Sequence, residues 1–264
     1  MPVLSTCAAM ARARDRERFA AALLAPPAVA EALCALLVVE AELDAAGLRA
    51  AEPALGRIRL QWWRDALADP AAHRRDHPAL AVLAAHGLDG GRLDAAVAAR
   101  EAEFEGAVPA TPGGLTAHAE ALSAPFLGAA LTFLEAETEA DARAAAGMGT
   151  AWGVVSYLRR MPFHACKEHL HLPLEAAEGP ADGARDRPAA VRALGDKALN
   201  SLNDARHLRS QVSPGAPAAL RLATPADAAL RRLRRADWVP ESRLVQQRWP
   251  RPLRLGLYAL LRRF

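Results

Sequence analysis

Lysine is almost missing from this chain. Only Lys167 and Lys197 occur, and the other 31 of the 33 basic residues are arginine. Arginine abundance is therefore a compositional bias, of the kind a GC-rich genome imposes, and is weak evidence for nucleic-acid binding. The three cysteines, Cys7, Cys34 and Cys166, are far apart and form no Cys-x-x-Cys pair. That excludes a disulfide scaffold and fits a reducing cytoplasm. Alternation of β-branched and aromatic residues is nowhere sustained, which argues against a sheet protein. Long apolar runs are missing too: the uncharged stretch 121–134 contains Pro125 and falls short of the roughly 20 residues needed to cross a bilayer. The uncharged start precedes Arg12, Arg14, Arg16 and Arg18, the reverse of a secretory signal. A cytoplasmic protein is expected, soluble or peripheral at the inner face of the cytoplasmic membrane.

What is present is helical. With 264 residues, 52% of them apolar and 24% charged, the chain can bury a large core. Apolar positions recur at helical spacing over 19–24 and 29–48, with Pro27 suited to a first turn. The same pattern predicts helices near 53–68, 78–86, 91–106, 116–136, 140–159, 187–211, 226–236 and 253–263. The expectation is one all-α domain over 1–264, with 1–13 flexible and a Gly/Pro/Asp-rich loop over 176–188. Residues 214–225, holding Pro214, Gly215, Pro217 and Pro225, read as a linker to a basic tail. Residues 221–264 carry a net charge of +8, leaving −5 for 1–220.

Several segments together resemble the squalene/phytoene synthase family. They are Arg18-Phe19 and the residues to 24; Ala32-Leu33-Cys34-Ala35-Leu36-Leu37-Val38-Val39-Glu40-Ala41-Glu42-Leu43; Ile58-Arg59-Leu60-Gln61-Trp62-Trp63-Arg64-Asp65; and 152–173, ending in Leu172-Pro173. Within the family the Met161-Pro162-Phe163-His164 segment is similar to the divergent group that includes the mitochondrial respiratory complex I assembly factor and its bacterial relatives. The resemblance implies an isoprenoid-synthase-type helical bundle around a central cavity. It also sets the chemistry to look for. Active members ionise a prenyl diphosphate with magnesium, held by paired carboxylates four residues apart on facing helices.

Counted back from Leu172-Pro173, the second pair falls on Arg160 and His164, and neither offers a hard oxygen ligand. The Asn and Gln that active members place upstream fall on Ser156 and Gly153. In the preferred register of the first pair, Asp44 takes the first acidic position and Leu48 the second. Glu40 and Asp44 also form an i, i+4 pair, so a displaced metal site there stands beside the plainer reading of a solvated helix face for Glu40, Glu42 and Asp44. Phosphate contacts would come from Arg59, Arg64, Arg159 and Arg160, and the cavity wall from Trp62, Trp63, Trp152 and Tyr157. Trp62 and Trp63 can equally be core packing, with Arg64 and Asp65 as surface charges.

Other features have plain readings. His164, His169, His171 and Cys166 invite zinc, but their spacing matches no finger or ribbon, and His164, after a proline in a loop, is better read as hydrogen-bonded at the mouth of the former active site. Arg100, Glu101, Glu103 and Glu105 read as a charged exterior around Phe104. In the tail, Leu253, Leu257, Leu260, Leu261 and Phe264 share a stripe among Arg251, Arg254, Arg262 and Arg263; it suits a membrane surface or partner, or equally a cap on the core. No nucleic-acid reader motif accompanies the charge. The leading expectation is a non-catalytic accessory factor for a respiratory membrane complex, with no cofactor. The alternatives are an active magnesium-dependent prenyl transferase, or a module that binds a prenyl lipid without reacting it.

Overall fold

The computed structural model describes residues 4–48, 53–105, 107, 111–165, 187–239 and, near the C-terminus, 256, 258, 260, 261 and 264. Among them every regular element is a helix: α1 (Thr6–Arg14), α2 (Arg16–Ala22), α3 (Pro27–Leu48), α4 (Pro53–Ala68), α5 (Pro78–Ala85), α6 (Asp94–Glu105), α7 (Pro112–Thr132), α8 (Glu139–Ala165), α9 (Arg187–His207), α10 (Ala216–Leu220) and α11 (Pro225–Arg235). Short 3₁₀ turns occupy Gly90–Leu93, Leu208–Ser210 and Arg221–Ala223.

The centre of the bundle is α3. Residues 32–40 are all buried, because α1, α2, α4, α5, α6 and α7 pack around the helix. A helix enclosed on every side has to be apolar all round; residues 32–39 are, and Glu40 is the exception. Cys7 on α1 and Cys34 on α3 are buried free thiols. Burial first, and then neighbouring negative charge, pushes them up to about 12 and about 11, so they act as small core residues.

The backbones of α7 and α8 approach each other closely. A Cβ at Gly153 would lie 1.8 Å from the carbonyl oxygen of Ala119, and one at Gly149 would lie 2.5 Å from the Cα of Ala124. The start of α8 is fixed by Thr138 and Asp141, which cap each other: the Asp141 amide donates to the Thr138 hydroxyl (3.2 Å) and the Thr138 amide to the carboxylate (3.0 Å). The same buried carboxylate accepts from the amide and hydroxyl of Ser213 at 2.8 and 2.6 Å.

Three expectations need correction. The 214–225 segment is no linker: it forms α10 and a 3₁₀ turn in which residues 216–225 are all buried. Its prolines start helical turns, where no amide partner is required. Residues 6–13 are helical in α1, and Cys7, Ala8 and Ala11 are buried. Finally, α8 continues through Pro162 to Ala165, so His164 lies on a helix and not in a loop. The loop over 176–188 and most of the 253–263 helix fall outside the described residues.

Three substitutions test this packing. Gly153→Ala should cost about 2 kcal/mol or more in thermal unfolding, because backbone cannot yield as a side chain does. Gly128→Ala, on α7 with nothing near its Cβ, should instead gain about 0.5–1 kcal/mol. Burial alone would raise the Asp141 carboxyl, but hydrogen bonds from Ser213 and Thr138 outweigh it and hold its pKa below the ordinary 3.8. Its contribution is therefore present above pH 3.8 and lost as pH falls through the lowered folded value. Asp141→Asn should cost about 1–3 kcal/mol at neutral pH, with the difference from the parent protein shrinking as the unfolding buffer is acidified.

Candidate functional site

The site is built around the one charge in the buried run of α3. Glu40 is 3% exposed, and both of its oxygens are taken. Arg18, from α2, brings Nη1 to 2.7 Å from Oε2, and Trp152, from α8, donates its indole N–H to Oε1 at 3.2 Å. Arg18 is itself 5% exposed. Its Nε donates to the Leu222 carbonyl at 2.9 Å, and its guanidinium lies 4.6 Å from the Trp152 ring centroid. Arg159, two turns along α8, approaches the same ring at 5.5 Å. Burial pushes the Glu40 carboxyl up, against the pull of Arg18 and with a further push from Asp44.

One turn on, Asp44 contacts Arg100, a buried arginine on α6. Arg100 also donates to Glu103 at 2.8 Å, and Glu103 faces Nε2 of His118 on α7 at 3.4 Å. The His118 ring meets Tyr157 on α8 edge-on at 6.3 Å. Burial disfavours the charged Arg100, but Asp44 and Glu103 outweigh it, so its pKa is raised. Thus Asp44, Arg100, Glu103, His118 and Tyr157 form one chain of contacts across four helices. The reading of Arg100 and Glu103 as a charged exterior is corrected here: their partners lie far away in sequence, beyond the reach of local periodicity.

Between these helices is a small cavity of about 130 Å³, lined by Arg14, Arg18, Glu40, Asp44, Trp152 and Ser156 among others. The predicted residues do not all meet there. Arg59, Trp62 and Trp63 line a separate hollow of about 530 Å³ with Ile58, Glu42 and His77, against a different face of α3. Trp63 is core and Trp62 is 36% exposed. Arg64 is paired with Glu101 on α6 at 2.8 Å. Burial holds His77 below its usual range despite Glu42, so its Nδ1 accepts from the Ala79 amide and caps α5.

On α8, Arg160 and His164 are four residues apart in the last turns; their side chains lie outside the described residues, as do Cys166, His169 and His171. Among the described residues no group of three or more His, Cys, Asp or Glu side chains is placed to hold a metal ion. Sequence reasoning missed Arg18 as the partner of Glu40 and Arg100 as the partner of Asp44. The available signal was a lone carboxylate interrupting an apolar run, which demands a buried cation from elsewhere.

With this geometry established, three comparisons are informative. Residues 11–251 match the family described as Squalene/phytoene synthase. The rat NADH dehydrogenase (ubiquinone) complex I, assembly factor 6 is 26% identical over 174 residues, covering 64% of this chain and 52% of that protein. The human counterpart is 25% identical over the same length and coverage. The chain thus spans about half the length of the curated relatives it matches. Among solved structures, squalene synthase HpnC from Alicyclobacillus acidocaldarius aligns with a TM-score of 0.72 at 17% identity, over 89% of this chain and 94% of that one. A dehydrosqualene synthase in complex with ligand aligns with a TM-score of 0.75 at 14% identity, over 97% and 94%. Both likenesses establish the helical isoprenoid-synthase fold.

A double-mutant cycle tests the central pair. Arg18→Met should cost about 3–5 kcal/mol by leaving Glu40 buried without its cation, whereas Arg18→Met with Glu40→Leu should recover most of that loss. Denaturant unfolding of the four proteins gives the coupling energy, and strict additivity would mean that the pair is energetically unimportant.

Proposed function

The chain belongs to the squalene/phytoene synthase family, and from that premise we propose that it is a non-catalytic member, acting as an assembly or accessory factor for a complex I-like respiratory membrane complex. One observation carries the loss of catalysis: the i, i+4 carboxylates of α3, Glu40 and Asp44, face arginines, Arg18 and Arg100. A magnesium site needs carboxylate oxygens turned toward the ion, and these are turned toward guanidinium groups. At the second expected pair, Arg160 and His164 are residue types that offer no hard oxygen. Of the two upstream positions, Ser156 borders the cavity, while Gly153 has no side chain and no room for one. The donor set does not fit magnesium, and no step through the ion is derived.

The size of the cavity supports the same reading. Ligand pockets usually span about 300–1,000 Å³, and the space beside Glu40 is about 130 Å³. Among the described residues, the space beside Glu40 is therefore too small to enclose a prenyl chain. For the active alternative, Arg18 and Arg100 would have to release both carboxylates, leaving the buried Arg18 without counter-charge and Arg100 with Glu103 alone. The accessory role is supported by the named role of the assembly-factor relatives, with respiratory subunits as the partners and the inner face of the cytoplasmic membrane as the location. No helix among the described residues is long and apolar enough to cross a membrane.

The test is direct. Purified protein given magnesium and farnesyl or geranylgeranyl diphosphate should release no pyrophosphate, and a C30 or C40 product would overturn the non-catalytic reading. In cells, deletion of the gene should lower the amount of assembled NADH dehydrogenase complex, measured on native gels. The parent chain should restore it, and so should a variant carrying Asp44→Asn, which an active enzyme relying on that carboxylate would not tolerate.

A further inference from the structure

The outer face of α4 carries an apolar row that nothing in the described structure covers. Leu55, Ile58 and Trp62 are 45%, 63% and 36% exposed, and their spacing sets them on one helical stripe. Arg57 and Arg59 are exposed on the same helix. After α4, the turn over 69–76 folds back against the row, with the His73 ring 6.3 Å from Trp62, and this brings exposed Arg74 and Arg75 alongside. Among the described residues none of these four arginines makes an ion pair.

The nearby acids are engaged locally. Asp65 accepts from Gln61 at 2.8 Å, Asp69 caps the Ala72 amide at 3.0 Å, and Asp76 faces His73 at 2.8 Å. The cations are left facing outward beside three standing apolar side chains. Ile58, Arg59 and Trp62 also rim the hollow against α3, and a lipid interface follows such an uneven surface without a matching groove. Tryptophan beside arginine is suited to the headgroup level, where the ring is half in hydrocarbon and the guanidinium meets phosphate.

We propose that the Leu55, Ile58 and Trp62 ridge of α4, with Arg57, Arg59, Arg74 and Arg75 around it, docks this protein on an anionic bilayer surface. This deepens the membrane part of the reading above, and rests on it only for the presence of a membrane. It is independent of the basic C-terminal tail and of whether any catalysis survives.

Sedimentation of the full chain with vesicles of phosphatidylglycerol and phosphatidylethanolamine, against vesicles of phosphatidylcholine alone, provides the test. Binding should occur with the anionic vesicles and weaken as salt is raised. Ile58→Glu should reduce it about tenfold, and Arg57→Glu with Arg59→Glu by a similar factor, with unchanged thermal unfolding because these side chains are exposed. Leu260→Glu with Leu261→Glu, at exposed positions of the tail, should leave binding unchanged. The proposal is overturned if the anionic vesicles bring down no protein, if Ile58→Glu binds as the parent does, or if the tail variant alone abolishes binding. It is equally overturned, in favour of a protein-docking surface, if Ile58→Glu blocks co-purification with a respiratory subunit while the parent chain ignores vesicles. Pyrophosphate release in the enzymatic assay would refute the non-catalytic reading and leave the vesicle result standing.

Discussion

A carboxylate in the middle of a wholly buried helix is the constraint from which the rest of this structure follows. Glu40 cannot remain charged in that position without a cation, and cannot reach solvent. Arg18 supplies the charge, and the Trp152 indole supplies the remaining hydrogen bond. Because Arg18 also donates to Leu222, the pair draws α2, α3, α8 and the 3₁₀ turn after α10 to one point. Arg221 answers from the other side by donating to the Leu24 carbonyl at 3.3 Å. Two arginines, each bonded to backbone roughly two hundred residues away, thus hold the first helices against the last third of the chain.

The same requirement bears on function. In the magnesium-dependent version of this fold, metal ions would neutralise the carboxylates of α3. Here guanidinium groups stand beside them, and Asp44, Arg100, Glu103 and His118 extend the arrangement into α6 and α7. Internal ion pairs of this kind give a rigid scaffold whose charge is balanced before any ligand arrives. They also leave little to attract a diphosphate accompanied by its metal ions. The Gly153 contact adds a steric limit, since α8 lies against the α7 backbone with no room for a side chain between them. The proposed accessory role would then be exercised through the surface of this braced scaffold.

Local pattern made much of the fold legible. The helix predicted over 53–68 has those bounds in the structure, and those near 78–86 and 226–236 differ by a residue at each shifted end. Errors arose where a residue's meaning depends on something distant. Pro214, Gly215, Pro217 and Pro225 look like a linker until Ala216, Ala219 and Leu220 are found fully buried. Pro162 looks like a stop, yet α8 runs three residues past it. Glu103 and Arg100 look solvated because their partners, His118 and Asp44, are on other helices. For the site, Glu40, Asp44 and Trp152 were recognised as candidates from the sequence, whereas Arg18 and Arg100 were not, since no spacing links residue 18 to 40 or 44 to 100. Trp62 and Arg59 were expected in the same cavity as Trp152; the helix they share places them against another face of α3.

The shortage of lysine takes on a physical meaning once the arginines are sorted by position. Arg18, Arg100 and Arg221 are nearly inaccessible, and Arg18 and Arg100 each meet more than one partner. A planar guanidinium can do this because it offers five donors in fixed directions and is more weakly hydrated than an ammonium. Lysine in these positions would satisfy fewer acceptors and pay more for leaving water. Whatever its genomic origin, a nearly all-arginine basic set therefore suits a protein that uses cations as internal cross-braces. The arginines left outside are a different population: those around the α4 ridge meet no carboxylate within the described residues, because the acids beside them are bound to local donors. Positive charge holds helices together inside the bundle, and is left exposed beside the apolar row of α4 that the described structure does not bury.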